Sequence, residues 1–195
     1  MIEDLQTGDA PYNVHGTSRA LERFNAKRSN ARTPTDLTML KTLRFEPIQE
    51  SHIAAIMEIE KETNAAPWSE RSFRNELDHK YGIFLVGILQ GELVAYGGVW
   101  LVIDEAHVTT IAVAPAHRRE GIGVRLMCEL LEKAKEAGMV CSTLEVRAGN
   151  EAAIHLYQKL GYNIVATRRG YYPDNKEDAV VMWMYNLDTW EPPRF

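Results

Sequence analysis

Two cysteines in 195 residues, Cys128 and Cys141, are too few for a disulfide framework or a four-thiolate metal site. Long apolar runs are lacking too: stretches such as Ile83 to Leu89 fall far short of the roughly twenty residues that a membrane-spanning helix needs. The opening Met1-Ile2-Glu3-Asp4 has neither a basic start nor an apolar stretch, so no secretory signal is expected and the cytoplasm is. No Gly-Lys-Ser or Gly-Lys-Thr string occurs, which excludes a P-loop. The six histidines show no His-Glu-x-x-His spacing, so no metal is expected, and both cysteines read as core residues. Positive charge is also short overall. At a net −5 the chain is a poor general nucleic-acid binder, because contacts to phosphate supply most non-specific affinity.

The basic residues that are present crowd together. Between Thr17 and Arg44 stand Arg19, Arg23, Lys27, Arg28, Arg32, Lys41 and Arg44 against Glu22 and Asp36, so the rest of the chain carries the acidic excess. Residues 1–40 are sparse in apolar side chains and read as a polar, disordered leader. Such a basic arm could touch RNA, although no direct nucleic-acid partner is expected. Periodic apolar patterning begins near residue 41. One domain is expected over residues 43–187, followed by a short tail, 188–195.

Within that domain strand and helix signals alternate. Leu43 to Pro47 reads as a strand, and Ile53, Ile56, Met57, Ile59 and Glu60 recur at helical spacing. Pro67-Trp68-Ser69 breaks that helix, and Ser69 is placed to cap a short second one carrying Phe73 and Leu77. Strands over Tyr81 to Leu89 and Leu93 to Val102 are joined by a tight Gln90-Gly91-Glu92 connection. Asp104-Glu105 is expected to turn into a strand ending at Val113. An amphipathic helix then places Ile122, Leu126, Leu130, Leu131 and Ala134 on one face and ends near Gly138. Ser142 to Val146, Tyr162 to Arg169 and Ala179 to Tyr185 read as strands. Asn150 caps a helix whose apolar side holds Ala153, Ile154, Tyr157 and Leu160, and His155 falls on its exposed side. Early hairpins followed by strand–helix–strand units imply a mixed α/β sheet covered by helices.

Three segments can carry chemistry. The run from Thr110 to Gly123 is a strand, a short loop and a helix opening Gly121-Ile122-Gly123. A helix start has unpaired N–H groups and partial positive charge, so it stabilises a phosphate or pyrophosphate, and Arg118 and Arg119 add full charges. A dinucleotide fingerprint would need a third glycine where Leu126 stands. The second segment, Leu144 to Asn150, sets Glu145 at a strand end, where a sheet can present a carboxylate into a cleft. The third sets Tyr157 on the apolar face of a helix, where its hydroxyl needs a partner or can donate to a leaving group. Taken singly, each has a plainer explanation: glycine easing a helix onto a sheet, a solvated or salt-bridged glutamate, a packed tyrosine. Trp183, Tyr185 and Trp190 read as sheet packing.

Together the segments resemble the GNAT acyltransferases, whose Arg/Gln-x-x-Gly-x-Gly/Ala signature matches Arg118 to Gly123. The closer similarity is to the RimI-type ribosomal-protein-alanine N-acetyltransferases. It rests on Pro67-Trp68-Ser69-Glu70, Ile111-Ala112-Val113, Leu144 to Arg147, Asn150 to Ile154, Leu156-Tyr157, Leu160 to Tyr162, Arg168 to Pro173 and Glu177-Asp178-Ala179. The resemblance implies a mixed, mostly antiparallel sheet flanked by helices, acetyl-CoA as co-substrate, no metal, and the N-terminal peptide of a ribosomal protein as acceptor. It implies Glu145 as general base and Tyr157 as general acid. Ile111, Ala112 and Val113 would pair with the pantetheine arm. Arg118, Arg119, Glu120, Gly121, Ile122, Gly123 and Val124 would surround the pyrophosphate, and Asn150 would hydrogen-bond the cofactor. Pro67, Trp68 and Ser69 with Arg168, Tyr171 and Tyr172 would wall a peptide channel. A GNAT enzyme acting on a small amine or an internal lysine, and a non-catalytic acyl-CoA-binding or ribosome-docking module, are the competing expectations.

Overall fold

The computed structural model describes residues 42–193, so the expected leader and its basic arm as far as Lys41 lie outside the described residues, while Arg44 opens the first strand. The strands are β1 (Arg44–Pro47), β2 (Gly82–Leu89), β3 (Glu92–Val102), β4 (Glu105–Val113), β5 (Cys141–Arg147), β6 (Asn163–Arg168) and β7 (Ala179–Met184). The helices are α1 (Ile53–Thr63), α2 (Glu70–Leu77), α3 (Ile122–Glu136) and α4 (Glu151–Leu160). The strands form one sheet in the order β1-β2-β3-β4-β5-β7-β6. Every neighbouring pair is antiparallel except β4 and β5. The mixed, mostly antiparallel sheet expected above is the one observed.

Alternation along β2 shows why its apolar run is unbroken. Leu85 and Leu89 join a core with α3 and α4, while Phe84, Val86 and Ile88 join a second core with α1 and α2. At β2 both faces of the sheet are covered, so both sets of side chains must be apolar. Gln90 and Gly91, with φ of 54° and 90°, form the two-residue turn between β2 and β3. Positive φ at both positions suits the right-handed twist of a tight hairpin.

The next hairpin turns one residue earlier than expected. Val102 pairs with Glu105, so Ile103 and Asp104 make the turn, with Ile103 at φ 60° and 95% exposed. Turn chemistry favours Asp104, but the ladder continues to Glu105 and forces a β-branched residue into a conformation it disfavours.

Helix ends follow the sequence signals. Ser69 Oγ accepts from Ser72 N at 3.1 Å and caps α2. After α3, Gly138 takes φ 90°, its N–H reaching Lys135 O and that of Met139 reaching Ala134 O. That double bond pattern is a Schellman close. Beyond β7 the chain is tied down at Trp190, whose ring N–H donates to Leu160 O at 2.7 Å and whose carbonyl accepts from Lys135 Nζ at 2.8 Å. Among the described residues no helix is long and apolar enough to cross a membrane.

The contact between α3 and the sheet requires Gly97. A Cβ there would lie 2.5 Å from Ile111 Cδ1, 3.1 Å from Leu130 Cδ1 and 3.1 Å from the Thr110 carbonyl oxygen. Side chains can shift, but a backbone carbonyl inside a ladder cannot. Gly97→Ala is therefore expected to destabilise the protein by about 1–3 kcal/mol through overpacking, read as a lowered midpoint in urea.

Candidate active site

The parallel pairing of β4 with β5 lasts three residues, Glu105 with Cys141, Ala106 with Ser142 and His107 with Thr143. Just beyond it Thr109 is an extra residue in β4, because Gly98 faces Thr110 while Val99 faces Val108. Such a bulge bends its strand and increases the local twist. From there the facing edges of β4 and β5 run on without a ladder between them.

Backbone direction on the open edge can be read from one bond. Ala114 N donates to Val94 O at 2.8 Å, toward β3. Alternation then turns the amides of Ile111 and Val113 the other way, into the gap, and that of Ala112 toward β3. The side chain of Ala112 belongs to the α1–α2 core, and those of Ile111 and Val113 pack on the α3–α4 core. Arg118 folds back so that its Nε donates to Val113 O at 3.3 Å.

The start of α3 opens beside the end of β4. Arg119 at φ 68° and Gly121 at φ 84° turn the chain into the helix, and no side chain caps it. Arg125 N is bonded to Gly121 O at 3.1 Å, so the earlier amides of Ile122, Gly123 and Val124 precede the intrahelical ladder. A Cβ at Gly123 would meet Val113 Cγ2 at 3.5 Å and Leu156 Cδ1 at 3.6 Å, which are ordinary contacts. That glycine's missing carbon is thus not required by the protein's own packing. Ile122 is buried and offers only its main chain, Arg118 and Arg119 are exposed, and Glu120 is turned to His117 at 3.2 Å.

Glu145 and Tyr157 stand on opposite faces of the sheet. Leu144 and Val146 point into the α3–α4 core, so Glu145 points the other way, toward the α1–α2 side. One of its oxygens is 2.6 Å from Arg168 Nη1 and the other accepts from the Tyr171 hydroxyl at 3.2 Å. The salt-bridged state offered above as the plainer explanation is present, and both partners are residues expected in the channel wall.

Tyr157 belongs to the α3–α4 core. Gly161 at φ 104° closes α4, with its N–H on Gln158 O and that of Tyr162 on Tyr157 O. This close sets the two tyrosine rings 5.9 Å apart, edge to face. Burial, with a smaller contribution from Tyr172, pushes the Tyr157 hydroxyl up to about 12, so it keeps its proton far above neutrality. Asn150 Oδ1 accepts from Ala153 N at 3.2 Å and caps α4, leaving its amide nitrogen for another partner. His155 is exposed as expected.

Two loops border the face that carries Glu145. One is the 64–69 segment, where Trp68 is half-buried against Phe73 and Pro67 and Ser69 are exposed. The other joins β6 to β7 and holds Tyr171 and Tyr172, which meet edge to face at 5.3 Å. Sequence reasoning gave Arg147 no role, yet it fastens that second loop. Its guanidinium bonds Asp174 through Nη2 at 2.9 and 3.1 Å, and Glu177 and Asn175 through Nη1 at 3.1 and 3.2 Å. The Tyr172 ring lies 3.9 Å from its central carbon. Its position two residues after Glu145, hence on the same face, was the available signal.

Buried Cys128 has its thiol pushed up to about 11, chiefly by burial, which suits a core residue rather than a nucleophile. No cluster of three or more His, Cys, Asp or Glu fit to hold a metal exists among the described residues.

Residues 53–162 match the model of the acetyltransferase (GNAT) family. The chain is similar to the ribosomal protein bS18-alanine N-acetyltransferase of Escherichia coli, 37% identical over 137 residues, which are 69% of this chain and 92% of that one. The crystal structure of the ribosomal-protein-S18-alanine N-acetyltransferase from Escherichia coli superposes with a TM-score of 0.69 at 31% identity, covering 78% of this chain and 99% of that one. Ard1 from Thermoplasma volcanium superposes with a TM-score of 0.66 at 26% identity, covering 73% and 97%.

The Arg147 fastening has a pH dependence of known sign. Bonds from the Gly149 N–H, Asn175 and Arg147 hold the Glu177 carboxyl below the usual glutamate range. Its contribution is thus present above the unfolded value of about 4.3 and fades as the pH falls through the lowered folded value. Glu177→Gln is expected to lower the melting temperature at pH 7, and that difference from the unmodified protein should shrink toward about pH 3.

Proposed function

The chain belongs to the GNAT acetyltransferase family, and from that premise we propose that it acetylates the α-amino group of an N-terminal alanine on a ribosomal protein, the reaction for which its relatives are named. It is an acetyl-CoA-dependent N-acetyltransferase. The observation that carries the finer reading is the gap between β4 and β5, with a carboxylate on one face and a protonated tyrosine on the other. Ribosomal proteins and acetyl-CoA meet in the cytoplasm, and the reaction belongs there.

In this reading the thioester lies in the gap with its pyrophosphate at the amides of Gly121, Ile122, Gly123 and Val124, beside Arg118 and Arg119. Ile111, Ala112 and Val113 line the pantetheine arm, and the free amide nitrogen of Asn150 reaches it from the other side. The peptide enters between the loop of Pro67, Trp68 and Ser69 and the loop of Arg168, Tyr171 and Tyr172. An α-ammonium group has a pKa of about 8, so a carboxylate suffices to take its proton, directly or through water. Glu145 does this, oriented by Arg168 and Tyr171.

The neutral amine attacks the thioester carbonyl, and the Val113 N–H in the gap stabilises the oxygen as it becomes negative. The carbon–sulfur bond then breaks. A thiol ionises near 8.5, so a phenol held near 12 would not surrender its proton to a free thiolate. Tyr157 instead donates a hydrogen bond to sulfur as charge builds. The proton that completes the thiol is supplied from the nitrogen, through Tyr157, as the amide forms.

The test uses acetyl-CoA, a panel of peptides that includes one beginning Ala-Arg, and mass spectrometry to locate the acetyl group. Modification of the alanine nitrogen is expected; modification of lysine side chains alone, or of nothing, overturns the reading. Glu145→Gln and Tyr157→Phe should each lower kcat by about a hundredfold while calorimetric uptake of coenzyme A persists. Gly123→Ala, whose Cβ the fold accommodates, should weaken that uptake about tenfold with an unchanged melting temperature.

A further inference from the structure

We propose that Glu60 is a positioning residue that sets the peptide wall around Trp68 and so governs acceptor binding without touching either substrate. The proposal rests on the reading of the 64–69 loop as one side of the peptide channel. Glu60 lies on the apolar face of α1 and is 1% exposed. Its Oε1 accepts from Trp68 N at 2.7 Å and from Asn64 Nδ2 at 3.1 Å, and its Oε2 accepts from the Tyr96 hydroxyl. One carboxylate thereby joins the end of α1, the loop and the central strand β3.

A charged group is a costly choice at this position. The surrounding core is Ile53, Ile56, Ile59, Phe73, Phe84 and Tyr96, and an apolar side chain would fill it without loss of hydration. What such a side chain could not do is hold an amide. The loop has no helical or strand ladder of its own. Its anchors are Ala66 N on Asn64 Oδ1 at 3.3 Å and Trp68 N on Glu60, while the Asn64 side chain is itself held by Glu60. Pro67 between them has no N–H to offer. Between Asn64 and Trp68 the loop's main-chain N–H tethers, Asn64 N on Glu60 O included, therefore converge on Glu60, while Ser69 O is held by α2.

Tyr96 fixes the carboxylate in turn. Its ring is fully buried, edge-on to Phe73 at 5.4 Å and stacked with Phe84 at 6.1 Å, and Trp68 meets the same Phe73 at 5.4 Å. The indole and the carboxylate are thus referred to one rigid aromatic group. With every bond of Glu60 made internally and its side chain closed to solvent, it cannot serve as a second base. Its effect passes through Trp68.

The test compares full-length Glu60→Leu, Glu60→Gln and Asn64→Ala with the unmodified enzyme. The measurements are KM for peptide, KM for acetyl-CoA, kcat, melting temperature and hydrogen exchange at the Trp68 amide. Glu60→Leu is expected to raise peptide KM about tenfold, with acetyl-CoA KM and kcat within about twofold, and to speed Trp68 exchange. Glu60→Gln keeps a carbonyl for the Trp68 N–H and should restore most of the peptide affinity. Equal rises in both KM values, or Trp68 exchange unchanged in Glu60→Leu, would overturn the proposal. Should Glu60→Leu fail to fold, Asn64→Ala decides: faster loop exchange with a peptide-only rise in KM supports the proposal, and no change in either sinks it. Were the unmodified enzyme to acetylate no peptide, the functional reading would fall while the exchange measurement still tested the tether.

Discussion

The site depends on the parting of β4 from β5. Neighbouring parallel strands ordinarily continue pairing, because each unpaired N–H or C=O inside a protein costs free energy. Here the ladder stops at His107 and Thr143, and the bulge at Thr109 turns β4 away. The Thr109 hydroxyl itself is buried without a partner. What results is a strand edge whose amides at Ile111 and Val113 still lack sheet partners, beside a helix start whose amides also want acceptors. Arg118 satisfies the Val113 carbonyl, but the donors of that edge face the gap. An extended ligand carrying amides along its length and phosphate at its end meets both sets of donors. The fold therefore creates a binding demand before any side chain contributes.

Most elements were legible because they obey local rules. Ser69, Asn150 and Gly138 mark helix ends by mechanisms confined to a few residues, and Gln90-Gly91 marks a hairpin in the same way. The Ile103 turn was misplaced by one residue because cross-strand register, which no local rule encodes, overruled the preference for Asp104. In the site, Glu145, Tyr157 and the Arg118–Gly123 stretch stood out by type and spacing, and the family resemblance gave them roles. Arg147 and Glu60 did not stand out, since their work is to hold loops that lie distant in sequence, from Asp174 to Glu177 and at Trp68. For Glu60 a signal existed: a carboxylate among Ile53, Ile56 and Ile59 on one helical face is anomalous. Identifying its partner required Tyr96, which is thirty-six residues away.

Glu60 and Arg147 solve one mechanical problem in different ways. Arg147 sits at the rim, its side chain 21% exposed, and uses several partners because each bond competes with water. Glu60 is shut from water, so three bonds suffice, and losing any one would leave a buried polar group unmatched.

The same contrast explains why the tyrosines are not interchangeable. Tyr96 and Tyr171 each give their hydroxyl hydrogen to a carboxylate, Glu60 and Glu145, and so have nothing left for a leaving group. Tyr162 is occupied with Ser142, whose own hydroxyl is committed to Ala106 O. Among the described residues Tyr157 makes no bond to a carboxylate. The sheet stands between it and Glu145, and that separation preserves both groups. Were they adjacent, Tyr157 would give its hydroxyl hydrogen to Glu145, as Tyr171 does, and would have none for a leaving group. In the proposed mechanism, a gap in the sheet entered by an amine from one face and backed by Tyr157 on the other keeps a proton acceptor and a proton donor within reach of one carbonyl but not of each other.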